Sequence, residues 1–218
     1  MIHFDQDAPN SRLQPLLQRH IEQFDNDVRK LLPSLPSTIH IWLDNSQLID
    51  ATGEGGFAYS PDTITISFNP NFIDKQLQLQ QLRGTIFHES YHLIQGHTYE
   101  DPHAVYTSAL DSAIYEGCAT VFERTHAGSN PLWGHYSQYD TETLNKWRDQ
   151  LAAISISDYT SLNTKLWQTW AHYDVLDQQQ WKAYKVGTWL VDGYLSSKNV
   201  SITDMCRYTA KDIYTHSL

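Results

Sequence analysis

The residues with the most evident chemistry are two histidines and a glutamate in the segment F-H-E-S-Y-H, residues 87–92. Positions four apart on a helix lie one above the other, so His88 and His92 would project from one face and could bind one cation. Glu89 would be rotated by about 100° from His88, near enough to reach a water molecule beside the cation. Neutral imidazoles bind Zn²⁺, the ion acidifies water, and a carboxylate can accept the proton. The spacing therefore predicts a zinc site suited to hydrolysis, with Glu89 as general acid/base.

A third ligand is expected in A-I-Y-E-G-C-A-T, residues 113–120, on the next predicted helix. The neighbours of Glu116 are largely apolar, and a carboxylate in such surroundings is costly unless it is paired or binds a metal. Gly117 lacks a side chain where two helices must approach closely. Two alternatives stay open. The H-E-x-x-H match could be fortuitous in a chain with 11 histidines, or Glu116 could form an ordinary ion pair.

The combination of these two segments resembles a known group of enzymes. H-E-x-x-H followed on the next helix by E-G-x-A is similar to the gluzincin metallopeptidases, in which the second glutamate is the third zinc ligand. Residues 88–95 and 115–122 look most like an uncharacterised family of predicted zinc-dependent proteases, and the similarity covers roughly residues 55–197. That family also has a late Y-x-x-G, which residues 184–187 resemble. The resemblance implies one Zn²⁺ per chain held by His88, His92 and Glu116, with Glu89 as catalytic acid/base and a peptide or protein as substrate.

Other ligand sets fit the sequence less well. A metzincin pattern requires glycine at position 95 and histidine at position 98, where this chain has Gln95 and Thr98. His97 and His103 remain alternative ligands, although their place in the loop after the helix favours an ordinary polar role.

Hydrolysis of an amide also needs a hydrogen-bond donor for the oxyanion. Tyr184 is the first candidate because of the Y-x-x-G resemblance, and His172 and Tyr194 are the others. A tyrosine packed in the core is an equally good interpretation of Tyr184. The imidazoles need orienting partners as well. Asp111 and Thr120 lie within about a turn of Glu116, and the sequence does not choose between them.

The elements that must position these residues follow from hydrophobic periodicity. Apolar residues between 11 and 32 recur at three- and four-residue steps, which predicts an amphipathic helix, with Ser11 and Gln14 as a capping box. A period of two predicts strands at 38–43 and 63–68, and residues 57–59 are expected to pair with the second across a turn at 61–62. The second strand precedes the metal-binding helix, as required if an extended substrate is to pair along a sheet edge near the metal.

The rest of the chain is predicted to be helical. Helices are expected near 74–96, 104–126, 141–154, 159–172, 178–197 and 203–214. Gly96 and Gly128 occupy C-cap positions and Asp140 an N-cap position. Without a convincing linker, the chain is expected to form one α+β domain over residues 1–218. A small antiparallel or mixed sheet at about 38–70 would precede a helical part at about 74–214.

Composition limits the function classes. The formal charge of −10 disfavours nucleic acids and anionic membranes, which bind chiefly basic surfaces. No apolar run is long enough to span a membrane, and the N-terminus does not resemble a signal peptide, so we expect a cytoplasmic protein. Cys118 and Cys206 are expected to be reduced thiols, mostly buried. The leading hypothesis is a zinc peptidase. The alternatives are a catalytically silent zinc-stabilised binding or regulatory protein, or a hydrolase of a non-peptide amide or ester.

Overall fold

A four-stranded mixed sheet occupies the N-terminal part of the chain. The structure, a computed structural model, describes residues 1–100, 106–159 and 164–215. The strand order is β1-β2-β4-β3, with β1 at Ile2–Phe4, β2 at Ile39–Asp44, β3 at Glu54–Ser60 and β4 at Thr63–Phe68. β2 runs parallel to β1 and β4, whereas β3 is antiparallel to β4. The predicted α+β class, the two predicted strands and the pairing of residues 57–59 are confirmed. β1 is absent from the sequence prediction because three residues are too few to show a period.

The predicted strand at 63–68, which precedes the metal-binding helix, is an inner strand of the sheet. β4 lies between β2 and β3 and pairs with both, so the outer edge on this side belongs to β3. The alternating pattern of β4 gives no information about its position in a sheet, because its neighbour β2 comes from a separate part of the sequence.

Two helices pack with the apolar face of the sheet. α1 covers Gln14–Leu31 and follows a short 3₁₀ turn at Ser11–Leu13. The predicted capping box is wrong, since no side chain caps either start and Pro15 instead occupies the first turn of α1. α2 covers Lys75–Gln95. The sheet and these helices bury a common set of apolar side chains: Leu17, Ile21, Val28, Ile39, Ile41, Leu43, Ile64, Ile66, Phe68, Leu82 and Ile86.

The caps of α2 explain its limits. The Asp74 carboxylate accepts a hydrogen bond from Leu77 N at the start, and Gly96 adopts a left-handed conformation with φ of 70° at the end. The prediction of a helix at 74–96 with Gly96 as C-cap is confirmed.

Further helices make up most of the remaining chain. α3 covers Ala109–His126, α4 Thr141–Ala153, α5 Ile156–Tyr159, α6 Thr164–Trp167, α7 Lys182–Lys198 and α8 Ala210–Tyr214. The Asp140 cap of α4 is confirmed by its hydrogen bond from Thr143 N, and Gly128 follows α3 with φ of 72°. Residues 106–108 lie outside α3, so the predicted start near 104 is too early, and residues 101–105 lie outside the described residues.

The segment before α7 differs from the prediction. A π-helical turn at Gln168–His172 leads into a hairpin of β5 (Tyr173–Asp174) and β6 (Gln179–Gln180). Buried Lys182 binds the Asp174 carboxylate and so holds the hairpin against the start of α7. Trp181 adopts a left-handed conformation, which delays α7 to Lys182. The predicted helices at 159–172 and 178–197 are therefore only partly correct, and residues 160–163 lie outside the described residues.

The last predicted helix, at 203–214, divides into a 3₁₀ turn at Asp204–Arg207 and α8. Thr209 and Asp212 form a capping box that starts α8 after the interruption.

Residue contacts divide the described chain into two compact units. One comprises residues 1–100 and 122–130, and the other comprises 106–121, 131–159 and 164–215. The division falls within the continuous helix α3. Cys118 is buried and Cys206 half-buried, and within the described residues neither forms a disulfide bond. Among the helices in the described ranges, none is both long and apolar enough to cross a membrane.

Candidate metal centre

The H-E-x-x-H segment forms the C-terminal half of α2. His88, Glu89 and His92 are all buried, with exposed fractions of 6%, 7% and 3%. The two imidazole rings lie on the same side of the helix, with centroids 4.7 Å apart. Phe87 and Tyr91 project from another side and both pack on Phe122 of α3. The apolar residues of α2 thus fix its rotation and direct the two histidines to a different side of the helix.

A carboxylate orients the first imidazole. His88 Nδ1 lies 3.1 Å from Glu123 Oε2, and Ser129 Oγ donates a 2.7 Å hydrogen bond to Glu123 Oε1. Glu123 is only 1% exposed, so its buried polar atoms depend on these partners for hydrogen bonds. The contact favours the tautomer in which Nδ1 carries the proton, which leaves Nε2 as the metal-binding atom.

A glycine makes room for this carboxylate. A β-carbon placed on Gly84 would lie 2.5 Å from Glu123 Oε1 and 3.1 Å from Ser129 Cβ. Gly84 is one turn before His88 on the same helix face, so the absence of a side chain lets Glu123 reach the imidazole. The sequence prediction does not include Glu123, although a signal was present. Glu123 follows Glu116 by about two helical turns and therefore shares its face of α3.

Asp111 and Thr120 are the two residues predicted to orient the histidines. Asp111 accepts hydrogen bonds from Thr107 N, Thr107 Oγ1 and Ser108 N, so it caps the start of α3. Thr120 is fully buried, and its hydroxyl has no hydrogen-bond partner in the described ranges.

Glu116 completes a group of three potential ligands. One ligand atom from each of His88, His92 and Glu116 lies within 4.8 Å of the other two. The set of two imidazoles and one carboxylate is one that catalytic zinc sites use, with a position left for water or substrate. In the part of the chain that the structure describes, this is the one group of this kind, and it is compatible with zinc.

The carboxylate of Glu89 is anchored on the sheet edge. Ala58 N of β3 donates a 2.8 Å hydrogen bond to Glu89 Oε2. The hydrogen bond stabilises the ionised form of the carboxylate, which is the form that accepts a proton. The edge strand therefore contributes to the position of Glu89, and the period-two pattern of the sequence contains no sign of this role.

Two further buried groups lie near the predicted site residues. Tyr159 of α5 is buried, and burial together with the negative charge of Glu116 raises the pKa of its hydroxyl. Glu54 of β3 is also buried, and Thr85 Oγ1 donates a 2.6 Å hydrogen bond to its Oε2. Burial raises the pKa of Glu54 to about 7, despite the opposing effect of this hydrogen bond. Neither residue belongs to a recognisable motif, so the sequence alone gives no reason to select it.

The three predicted oxyanion donors lie in two elements, Tyr184 and Tyr194 on α7 and His172 in the π-helical turn. Tyr184 is half-buried in the first turn of α7, where its carbonyl accepts a hydrogen bond from Thr188 Oγ1. His172 ends the π-helical turn, and partial burial lowers the pKa of its imidazole. Tyr194 is buried on α7 against the ring of Tyr208. The catalytic role of Tyr184 stays a prediction.

His97 and His103 are the two histidines that the sequence leaves as alternative ligands. The His97 ring centroid lies 4.4 Å from that of His92, but His97 is outside the three-residue group. His103 lies outside the described residues.

Comparison with known proteins gives one family. No curated protein and no solved structure shows significant similarity to this chain. A family model with the description "Predicted Zn-dependent protease (DUF2268)" matches residues 13–215, which is nearly the whole chain and includes α2, α3 and α7. A match of this extent, over a chain whose described residues include a zinc-compatible group, shows that the protein belongs to this family of predicted Zn-dependent proteases.

Proposed function

We propose that this protein hydrolyses peptide bonds with one zinc ion held by His88, His92 and Glu116, as a gluzincin-type peptidase. The observation that carries the proposal is the grouping of these three side chains beside Glu89, a non-ligand carboxylate on the same helix. A purely structural zinc site has a closed set of four protein ligands, whereas three protein ligands and an adjacent base are typical of hydrolases.

In this proposal, each residue around the zinc ion has a distinct role in the reaction. Bound zinc supplies Lewis-acid chemistry, which polarises a carbonyl group and acidifies water. Glu89 accepts a proton from the attacking water at its carboxylate and later donates one to the nitrogen of the leaving amine. Ala58 N holds the Glu89 carboxylate in place, and Glu123 keeps His88 in one tautomer. We assign oxyanion stabilisation to Tyr184 on the basis of the Y-x-x-G resemblance.

The expected substrate is a peptide or protein. The formal charge of −10 supports the exclusion of nucleic acid and anionic membranes as partners. The same machinery would act on other amides or esters, so cleavage of a broad peptide library by the zinc-loaded protein should identify the preferred bond.

Replacement of Glu89 by Gln tests the mechanism. The E89Q variant should bind one zinc per chain, like the original protein, because Glu89 is not a ligand. Peptide cleavage should fall by about 10²–10⁴-fold, the usual contribution of a general base. Zinc content by mass spectrometry and cleavage of the best library peptide are measured on the same preparations.

A matched variant controls for the loss of charge. Glu142→Gln removes an exposed carboxylate from the first turn of α4 and should keep full activity. Cleavage by E89Q at the original rate would contradict the proposed role of Glu89. Zinc binding without cleavage of any peptide by the original protein would favour a zinc-stabilised binding protein.

A further inference from the structure

The outer face of the sheet carries a groove that the proposed reaction does not use. Side chains at alternate positions of β2, β3 and β4 face away from the apolar core, and they line a cavity of about 430 Å³. We call this cavity the outer-face groove. It is lined by Asp5, Trp42, Asp44, Phe57, Tyr59, Thr63 and Thr65. An adjoining cavity of about 260 Å³ shares Asp5, Trp42 and Thr63 and extends the groove to Asp62.

The centre of the outer-face groove is a slot between two aromatic rings. Trp42 of β2 and Phe57 of β3 are both direct cross-strand partners of Thr65 on the intervening β4. Adjacent strands lie about 4.8 Å apart, so the backbones at Trp42 and Phe57 are separated by about 9.6 Å. A planar group stacked between two rings needs about 7 Å, at roughly 3.5 Å to each ring. The small side chain of Thr65 leaves that space open.

The slot has a polar floor and an aromatic wall. Thr65 is 2% exposed and lines the groove, so its small polar side chain forms part of the floor. The Phe57 ring is supported by Tyr59 and Tyr99, with centroids 6.3 and 5.7 Å away. A polar floor beside aromatic side chains indicates a ligand with both a polar group and a flat apolar surface.

Negative charge at the rim selects the sign of that ligand. Asp5 Oδ1 accepts a hydrogen bond from Asp7 N, and Asp44 Oδ1 accepts bonds from Ser46 N and Ser67 Oγ. The Oδ2 atoms of both residues receive no hydrogen bond or ion pair from the part of the chain that the structure describes. No lysine or arginine lines either cavity. The groove therefore presents carboxylate oxygens and aromatic faces without a lysine or arginine, and His40 is the basic side chain that lines the adjoining cavity.

We infer that the outer-face groove binds the arginine side chain of a basic peptide. Guanidinium is planar, stacks on aromatic rings and donates paired hydrogen bonds to carboxylates, which matches the slot, Asp5 and Asp44. The formal charge of −10 over the whole chain attracts such a partner. Because the groove contains no zinc ligand, this binding is independent of the metal and of the proposed peptidase activity.

Calorimetric titration of the full-length E89Q protein tests this inference. The probes are acetyl-Gly-Arg-Gly-amide and its counterpart with citrulline, which keeps the shape of arginine and removes its charge. The arginine peptide should bind about tenfold or more tightly than the citrulline peptide. A third probe, in which lysine replaces arginine, should bind with an affinity between those two. The difference should shrink as salt is added and should persist after zinc is removed with a chelator.

Two substitutions locate the binding. The double variant Asp5→Asn/Asp44→Asn keeps the hydrogen-bond acceptors but should abolish the preference for arginine over citrulline. Trp42→Leu should weaken the binding of the arginine peptide by at least about fivefold, because it removes one face of the slot. Asp50→Asn, an exposed carboxylate outside the groove, is the matched control and should bind like the parent.

Equal binding of the arginine and citrulline peptides by the parent protein would overturn the inference. Arginine binding that the Asp5 and Asp44 substitutions leave unchanged would place it elsewhere and would also overturn it. Binding of a neutral oligosaccharide such as cellotetraose, without arginine binding, would identify a carbohydrate groove instead. If the double variant fails to fold, the single variant Asp5→Asn and the salt dependence of the parent protein test whether the groove carboxylates cause the preference for arginine.

Discussion

Glu123 shows how a residue outside the recognisable motif can control the candidate site. Its carboxylate lies 3.1 Å from His88 Nδ1 and is held by Ser129, so it fixes the imidazole before any metal binds. Partners of this kind raise the basicity of the ligand and reduce the cost of ordering it.

Replacement of Glu123 by Gln should weaken zinc binding by about 10–100-fold, since the amide lacks the negative charge that favours the Nδ1-protonated tautomer. Competition with a chromophoric chelator measures the dissociation constant. Glu22→Gln, on the surface of α1, should leave it unchanged. An E123Q variant with the parent affinity would show that His88 is oriented by its packing alone.

Glu54 makes the stability of its unit depend on pH. Burial raises its pKa from 4.5 to about 7, so the folded protein holds this proton more tightly than the unfolded chain does. As pH rises from about 4.5 to about 7, the folded state therefore loses stability, by at most about 3 kcal/mol.

The Glu54→Gln variant should lose this contribution. Its free energy of unfolding in the absence of metal should fall less between pH 5 and pH 8 than that of the parent, and at pH 8 the variant should be the more stable of the two. Urea unfolding at the two pH values gives the comparison. The control variant Glu22→Gln should show the same change in the free energy of unfolding between pH 5 and pH 8 as the parent. An equal change in the free energy of unfolding for E54Q and the parent would contradict the role of Glu54 in the pH dependence.

At the scale of elements, the late Y-x-x-G has a physical explanation in its glycine. A β-carbon on Gly187 would lie 1.7 Å from Ala113 O, and one on Gly117 would lie 2.2 Å from the carbonyl carbon of Gly187. The backbones of α3 and α7 therefore touch at these two glycines. Gly117 directly follows Glu116, so the contact also sets the height of that carboxylate along α3.

Substitution of Gly187 by Ala should destabilise the protein by about 2–3 kcal/mol or more, because the obstacle is backbone and one helix must shift. The exposed Gly193 on the same helix provides the matched control. Gly193→Ala should be neutral or stabilising by up to about 1 kcal/mol, as alanine favours helix. Thermal unfolding of both variants measures the difference, and equal melting temperatures would disprove the close contact.

The elements that could be predicted are those specified by their own residues. α2 and α4 were predictable to within about one residue because a long apolar period coincides with local caps at Asp74, Gly96 and Asp140. The central position of β4 depends on β2, a partner distant in sequence, and the hairpin before α7 depends on the Asp174–Lys182 pair, for which the sequence contains no periodic signal. The same distinction applies to the site. Spacing predicts His88 and His92, whereas the anchoring of Glu89 by Ala58 arises only when β3 pairs at the sheet edge.

At the scale of the whole molecule, zinc should couple the candidate site to stability. A ligand that binds only the folded state stabilises it by about 4 kcal/mol at a thousand times its dissociation constant. Chelation of zinc from the purified protein should therefore lower its melting temperature by about 10 °C. Differential scanning calorimetry with and without chelator gives the shift.

The His92→Ala variant should melt at the same temperature with and without chelator, because it lacks one of the proposed ligands. A chelator effect that persists in this variant would place the stabilising metal elsewhere. No chelator effect in the parent protein would contradict zinc binding at this site.

The outer edge of β3 has a consequence for self-association. An unpaired edge strand is a template on which another molecule can add a strand, and so a starting point for aggregation. Here Tyr99 N and Glu100 N donate hydrogen bonds to the carbonyls of Ala58 and Tyr59, and Ala58 N is bound to Glu89. The chain thereby closes its own edge beside the candidate catalytic carboxylate, and a foreign strand must break three hydrogen bonds before it can dock there.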